Sequence, residues 1–238
     1  MSWNRSLRVG LAIVAISTGA CGLKTEAPIV HQQCDNPGVQ LAAVLEPYEA
    51  LQAKGCGEGL HGTGSDCDRL RREIERLAVV CPRHAPILMA NAILAYDDRR
   101  TADAQQFLDQ ILAQPQSHPD AAILRARIAI EEGNAAFALR LLPDEIMLVP
   151  DHPGLHETYA GALYLVGRLS DAATELTIAG SLGAPRWRIA YHLGLIDEAL
   201  GRLGGAATLY AEAVAANPGF AAAESRLKAL RAGLGTRP

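Results

Sequence analysis

The chain has 238 residues, 49% of them hydrophobic, and a formal net charge of −4. Arg5 and Arg8 are the only charged residues among the first 20, so the remainder is more acidic than the whole and holds no basic patch, which argues against nucleic acid as a partner. The length allows either one sizeable core or a continuous core spread along a solenoid.

Residues 1–20 read as an export signal: a start carrying Arg5 and Arg8, an apolar run from Val9 to Ile16, and the small residues Ser17-Thr18-Gly19-Ala20. Cys21 follows directly. Small residues leading to a cysteine resemble a bacterial lipoprotein signal, although Thr18 stands where that family usually has Leu. The resemblance implies that Cys21 is lipidated and becomes the mature N-terminus, and Gly22 after it, rather than Asp, implies the outer membrane with a periplasm-facing chain. The apolar run is shorter than the roughly 20 residues that a bilayer span needs, so lipid at the N-terminus is the only membrane attachment expected. Residues 21–33 are expected to form the lipidated cysteine and a flexible tether.

Residues 34–82 hold Cys34, Cys56, Cys67 and Cys81. Leu41, Val44, Leu45, Tyr48 and Leu51 recur at helical spacing, as do Leu70, Ile74, Leu77 and Ala78, and the glycine-rich stretch from Gly55 to Asp66 separates the two. An even number of cysteines in an exported chain favours disulfides. If the helices are antiparallel, Cys56 and Cys67 flank the loop while Cys34 and Cys81 meet at the other end, giving the nested pairs Cys34–Cys81 and Cys56–Cys67. Neither zinc nor dithiol chemistry is expected, since no C-x-x-C occurs. Pro47 is expected to kink or shorten the first helix.

From Ala104 onward the chain keeps a period. Ala104, Ala138, Ala172 and Ala206 stand 34 residues apart; Leu108, Leu142, Leu176 and Tyr210 follow each by four, and Gln116, Pro150, Ala184 and Pro218 by twelve. An interval of 34 with alanine, a larger apolar residue and a later proline resembles the tetratricopeptide repeat. The resemblance implies an all-α, right-handed α-solenoid of helical hairpins: four repeats over 84–218, a capping helix and tail over 219–238, and residues 34–82 as a degenerate first repeat. Stepping back 34 from Ala104 reaches Leu70, and Pro82 lies twelve further on. A strict period of 34 argues against Sel1-like or HEAT arrays.

First helices are expected near Pro86–Asp98, Pro119–Glu132, Pro153–Val166 and Trp187–Leu200, and second helices near Thr101–Ala113, Ala135–Leu142, Ser170–Leu182 and Gly204–Asn217. Small residues, Ala92, Ala126, Ala160 and Gly194, mark the close-packing position of the first helices. Gly133, Gly167 and Gly201 mark the turns, where Arg99 stands in the first repeat. No repeat has Trp at its fourth position, and only Leu193-Gly194 reproduces the family's Leu-Gly pair. Pro143 is expected to end its helix at Leu142. Phe220 to Leu234 reads as one amphipathic capping helix.

His84, His118 and His152 share the period, but stacked helices lie roughly 10 Å apart, too far for three of them to share one zinc ion. Each is read as a turn residue before a helix. His152 and His156 are four apart without the Glu of H-E-x-x-H, a weak metal signal. No nucleophile elbow, phosphate-binding glycine loop or acid cluster is present, so neither catalysis, a cofactor, a metal nor a small-molecule substrate is expected.

In tetratricopeptide proteins the first helices line the inner face at their second, fifth, ninth, twelfth and thirteenth positions. By that resemblance the partner-binding groove comprises Met89, Ile93, Tyr96 and Asp97; Asp120, Ile123, Arg127, Ile130 and Glu131; Glu157, Tyr164 and Leu165; and Arg188, Tyr191, Leu195 and Glu198. Tyrosine and arginine among apolar residues suit peptide docking. The Lys and Asn set that clamps a C-terminal carboxylate in chaperone adaptors is missing. The expected function is a non-catalytic scaffold that holds another envelope protein, similar to the tetratricopeptide lipoproteins of Tad-type pilus and secretion assembly. The alternative is an adaptor recruiting a peptidoglycan-processing enzyme or, further off, a thiol- or metal-active periplasmic factor.

Overall fold

The computed structural model describes residues 34–56 and 65–234, all within the compact unit Gln33–Pro238. The expected signal peptide, Cys21 and the tether lie outside the described residues. Eleven helices follow one another among them, with no strand: α1 Pro37–Lys54, α2 Asp66–Val80, α3 Ala85–Asp97, α4 Thr101–Leu112, α5 Pro119–Glu131, α6 Ala135–Leu148, α7 Pro153–Leu165, α8 Leu169–Ser181, α9 Arg186–Ala199, α10 Leu203–Ala216 and α11 Ala221–Leu234. Each packs on the next, and α5 also packs on α7, so first helices of successive hairpins adjoin. None of the described helices is long and apolar enough to cross a membrane.

The period appears in space as one repeated joint. Ala104, Ala138, Ala172 and Ala206 are fully buried, and so, within 2%, are Leu108, Leu142, Leu176 and Tyr210 beneath them. Burying each of these larger side chains contributes roughly 1.5–3 kcal/mol. The turns are equally regular: Gly133, Gly167 and Gly201 take φ of 79°, 77° and 74°, and Arg99 adopts the same left-handed conformation at 62°. In every case the next amide donates five residues back, from Arg100 to Ala95 (2.8 Å), Asn134 to Ala129 (2.7 Å), Arg168 to Leu163 (2.9 Å) and Arg202 to Asp197 (2.8 Å). This is the Schellman closure, which satisfies a carbonyl that the helix end would leave open. Arg99 makes that turn without glycine, at the cost of crowding its Cβ.

Pro at the first turn opens α3, α5 and α7, with His84, His118 and His152 as the residues just before. None of the three imidazoles caps its helix. No cluster of candidate metal ligands occurs among the described residues. His156 is clamped instead: Nδ1 lies 2.6 Å from Glu175 Oε2 on α8 and Nε2 lies 2.9 Å from the Pro150 carbonyl oxygen. Both ring nitrogens are thereby occupied in tying α7 to its neighbours.

Pro47 lies inside α1, as expected. Pro143 departs from expectation: α6 continues through it to Leu148 rather than stopping at Leu142. An interior proline costs about 3 kcal/mol. Continuing the helix packs half-buried Ile146 against the core that holds Leu142, which offsets part of that cost. Glu145 on the extended turn also accepts from Ser117 Oγ at 2.7 Å.

Cys34–Cys81 and Cys56–Cys67 are both bonded, closing the α1–α2 hairpin at its two ends. The hairpin shares the core of the array. Leu41, Leu77, Ala78 and Cys81 are buried with Ile87, Leu88 and Leu108. Asn91, buried on α3, donates from Nδ2 to the carbonyls of Ile74 (3.0 Å) and Ile87 (2.9 Å), so a side chain of the first periodic repeat holds α2 in place. Arg71 pairs with Asp98 and Arg100 with Glu75 across the same junction.

Candidate partner-binding face

The face built by α5, α7 and α9 carries two adjoining clefts. The smaller, about 230 Å³, is lined by Ile130, Ala160, Gly161, Tyr164, Leu165, Leu176, His192, Leu195 and Ile196. The larger, about 450 Å³, is lined by Ile123, Arg127, Ile130, Gly154, Glu157, Thr158, Gly161, Arg188 and His192. Ile130, Gly161 and His192 belong to both, so the two form one trough. Eight of the residues assigned by repeat position meet here: Ile123, Arg127, Ile130, Glu157, Tyr164, Leu165, Arg188 and Leu195.

The others lie elsewhere or are engaged within the chain. Met89 lines a separate cleft of about 300 Å³ with Pro86, Ile111, His118 and Asp120. Ile93 is 44% exposed on α3, and Asp97 is exposed at its end. Tyr96 Oη donates to Glu131 Oε1 at 2.6 Å, joining successive first helices, and that bond is the first cause holding the Tyr96 phenol above its ordinary pKa. Tyr191 packs edge-on against Phe220 with centroids 4.9 Å apart and lies 5.7 Å from Tyr210, inside the joint between α9 and the cap. Glu198 Oε2 accepts from Tyr210 Oη at 2.6 Å and from Arg226 at 3.0 Å, which together hold its carboxyl below the usual range. Burial, then the Glu198 bond, pushes the Tyr210 phenol well up.

Within the trough, Glu157 pairs with Arg188 and lies 3.7 Å from His192 Nδ1, its own side chain only 11% exposed. Arg188 Nε is buried without a hydrogen-bond partner. Arg127 is exposed and takes part in no ion pair among the described residues. Burial lowers the His192 pKa, with Arg188 acting in the same direction and Glu157 against it.

Reasoning from repeat position passed over Gly161, Thr158, His192 and Ile196. Gly161 sits at the ninth position of its first helix and has no side chain to count, which is what makes it the floor of the trough. A Cβ built there meets nothing within 4 Å. Buried Arg125 also went unnoticed: its Nε donates to Asp109 at 2.8 Å while its guanidinium lies 4.2 Å over the Phe137 ring, pinning α4, α5 and α6 together.

The fold and this face define a tetratricopeptide-type α-solenoid. Among solved structures the chain is similar to TTC0263, a thermophilic TPR protein of Thermus thermophilus, with a TM-score of 0.63 at 17% identity over 82% of this chain and 99% of that one. It is similar to a tetratricopeptide repeat protein of Parabacteroides merdae, with a TM-score of 0.62 at 17% identity over 80% of this chain and 71% of that one. It also resembles YrrB, described as a TPR protein with an unusual peptide-binding site, with a TM-score of 0.55 at 10% identity over 82% of this chain and 99% of that one. Identities this low speak to the fold. No protein-family model matches the sequence. No curated protein matches it.

Proposed function

We propose that the protein is a non-catalytic scaffold that holds a segment of another protein along the trough of α5, α7 and α9. The observation that carries this reading is the trough itself: Ile130, Tyr164, Leu165 and Leu195 present apolar surface around a floor that Gly161 leaves open. Apolar walls with a few convergent polar groups are the usual make-up of a recognition site. The likeness to YrrB, whose description names a peptide-binding site, points the same way. We further propose that the α1–α2 hairpin serves as a stapled first repeat, and that Cys21 carries lipid and anchors the protein in the outer membrane, where its partner is an envelope protein, as in pilus or secretion assembly. A photo-cross-linking side chain in place of Tyr164, used in cells, should capture one partner, whereas the same group at exposed Thr177 on α8 should not. Equal capture from both positions would remove the trough from the binding surface. A Cys21→Ala chain that still sediments with membranes would remove the anchor.

A further inference from the structure

The trough divides by chemistry along its length. At the end between α7 and α9 its walls are aliphatic and aromatic: Ile130, Tyr164, Leu165, Leu195 and Ile196. Closed cavities of roughly 150 Å³ with such linings hold benzene, so a cleft of about 230 Å³ has room for a bulky apolar side chain. Gly161 makes that room. A glycine inside a helix lowers stability relative to alanine, and no neighbour forces one here, because an added Cβ would stand in open space. Gly154, two turns before, is different: its Cβ would come 2.9 Å from Ile123 Cδ1.

The adjoining end is cationic. Its only acid, Glu157, is nearly buried and committed to Arg188 and His192. Facing it are Arg127, exposed and with no ion pair among the described residues, and Arg188, which is paired with Glu157 but keeps 40% of its side chain exposed. Asp120 and Glu131 stand on α5 outside the trough, the first 3.6 Å from His152 and the second bonded to Tyr96. The charge the trough offers a ligand is therefore positive, on a chain whose net charge is −4. Guanidinium groups match the fork of a carboxylate.

We propose that the trough recognises an internal peptide segment carrying a bulky apolar side chain and an acidic side chain a few residues apart, the first seated over Gly161 and the second on Arg127 and Arg188. This rests on reading the first-helix face as the partner-binding surface. The test is fluorescence-polarisation titration of the full chain in detergent with labelled nine-residue peptides, acetylated and amidated so that only side-chain carboxylates are offered. Peptides pairing Asp or Glu with Phe or Leu at each spacing are compared with counterparts carrying Lys for the acid or Ala for the apolar residue. Either replacement should weaken the best binder about tenfold or more. Gly161→Leu, which fills the floor, should do the same while helical circular dichroism stays unchanged. Arg127→Gln should weaken binding by up to about fivefold and flatten its salt dependence.

Peptides with Lys binding as well as those with acid, or Gly161→Leu binding undiminished, would overturn the proposal. A chain that dimerises through Gly161-sensitive contacts in light scattering without peptide would put a second copy in the trough and overturn it too. Capture of a partner from Tyr164 combined with no preference for acidic–apolar peptides sinks this inference and leaves the scaffold reading standing. Loss of both sinks the reading beneath it.

Discussion

Gly194→Ala offers a sharp test of how the last repeat is packed. The other first helices carry Ala92, Ala126 and Ala160 at this position, over Leu108, Leu142 and Leu176, whereas here glycine stands over Tyr210. A Cβ on residue 194 would lie 2.6 Å from Tyr210 Cε1 and 2.8 Å from Cδ1. The ring is fully buried and fixed by its 2.6 Å bond to Glu198, so it has nowhere to swing. Overpacking costs about 1–3 kcal/mol, while replacing glycine in a helix returns about 1 kcal/mol, so Gly194→Ala should destabilise by about 0–2 kcal/mol. In a Tyr210→Leu background the ring is gone and the pairing is that of the other repeats. The same substitution should then stabilise by about 1 kcal/mol. Urea unfolding followed by helical circular dichroism on the four chains of the cycle measures this, with free energies compared only between variants whose slopes agree, because solenoids do not always unfold as one unit. If Gly194→Ala has the same effect in both backgrounds to within about 0.5 kcal/mol, the two residues are independent and the reasoning fails.

Pro143→Ala restores a backbone donor inside α6 and should stabilise by up to about 3 kcal/mol; an unchanged urea midpoint would mean the helix has already absorbed the proline. Opening Cys34–Cys81, which spans 47 residues, by Cys34→Ser with Cys81→Ser should cost about 4 kcal/mol by loop entropy, against about 3 for Cys56–Cys67, which spans 11, and thermal melting in the absence of reductant ranks the two. His156→Leu strands Glu175 and the Pro150 carbonyl and should destabilise by about 1–3 kcal/mol, so a variant as stable as the parent would deny that the clamp matters. His192 is held below its ordinary value of 6.5, so the unfolded chain binds the proton more readily; the stability this gives is complete above about that pH and is lost as pH falls through it towards the folded value. Replacing it by Gln should flatten the decline in urea midpoint below neutrality, and parallel pH profiles for the two chains would contradict the assignment.

The period, the helix ends and the two disulfides were legible in the sequence because each depends on local or strictly spaced signals. Observed helices α3–α10 begin and end within one residue of their expected limits, α6 excepted. There a single residue, Pro143, carried the local signal, and packing of Ile146 against the core around Leu142 opposed it. Asn91 and Arg125 escaped notice, and His156 was weighed only as half of a weak metal pair, for another reason: a buried polar side chain is justified by partners on other elements, which apolar spacing does not register. The face was legible in part. Position within the repeat drew Ile130, Tyr164 and Leu195 together, and they line one cleft, yet it treated Tyr191 and Glu198 as open when the arrival of α11 had already engaged them.

The Cys34–Cys81 bond also sets how the molecule would carry tension. A pull arriving along the backbone from the N-terminal side reaches Cys34 and crosses directly to Cys81, four residues before α3 begins. The covalent bridge takes the load, and α1 and α2 hang from it as an unstrained loop. Force would first test the periodic repeats, beginning at α3, and the stapled hairpin would keep its shape while the array behind it stretched.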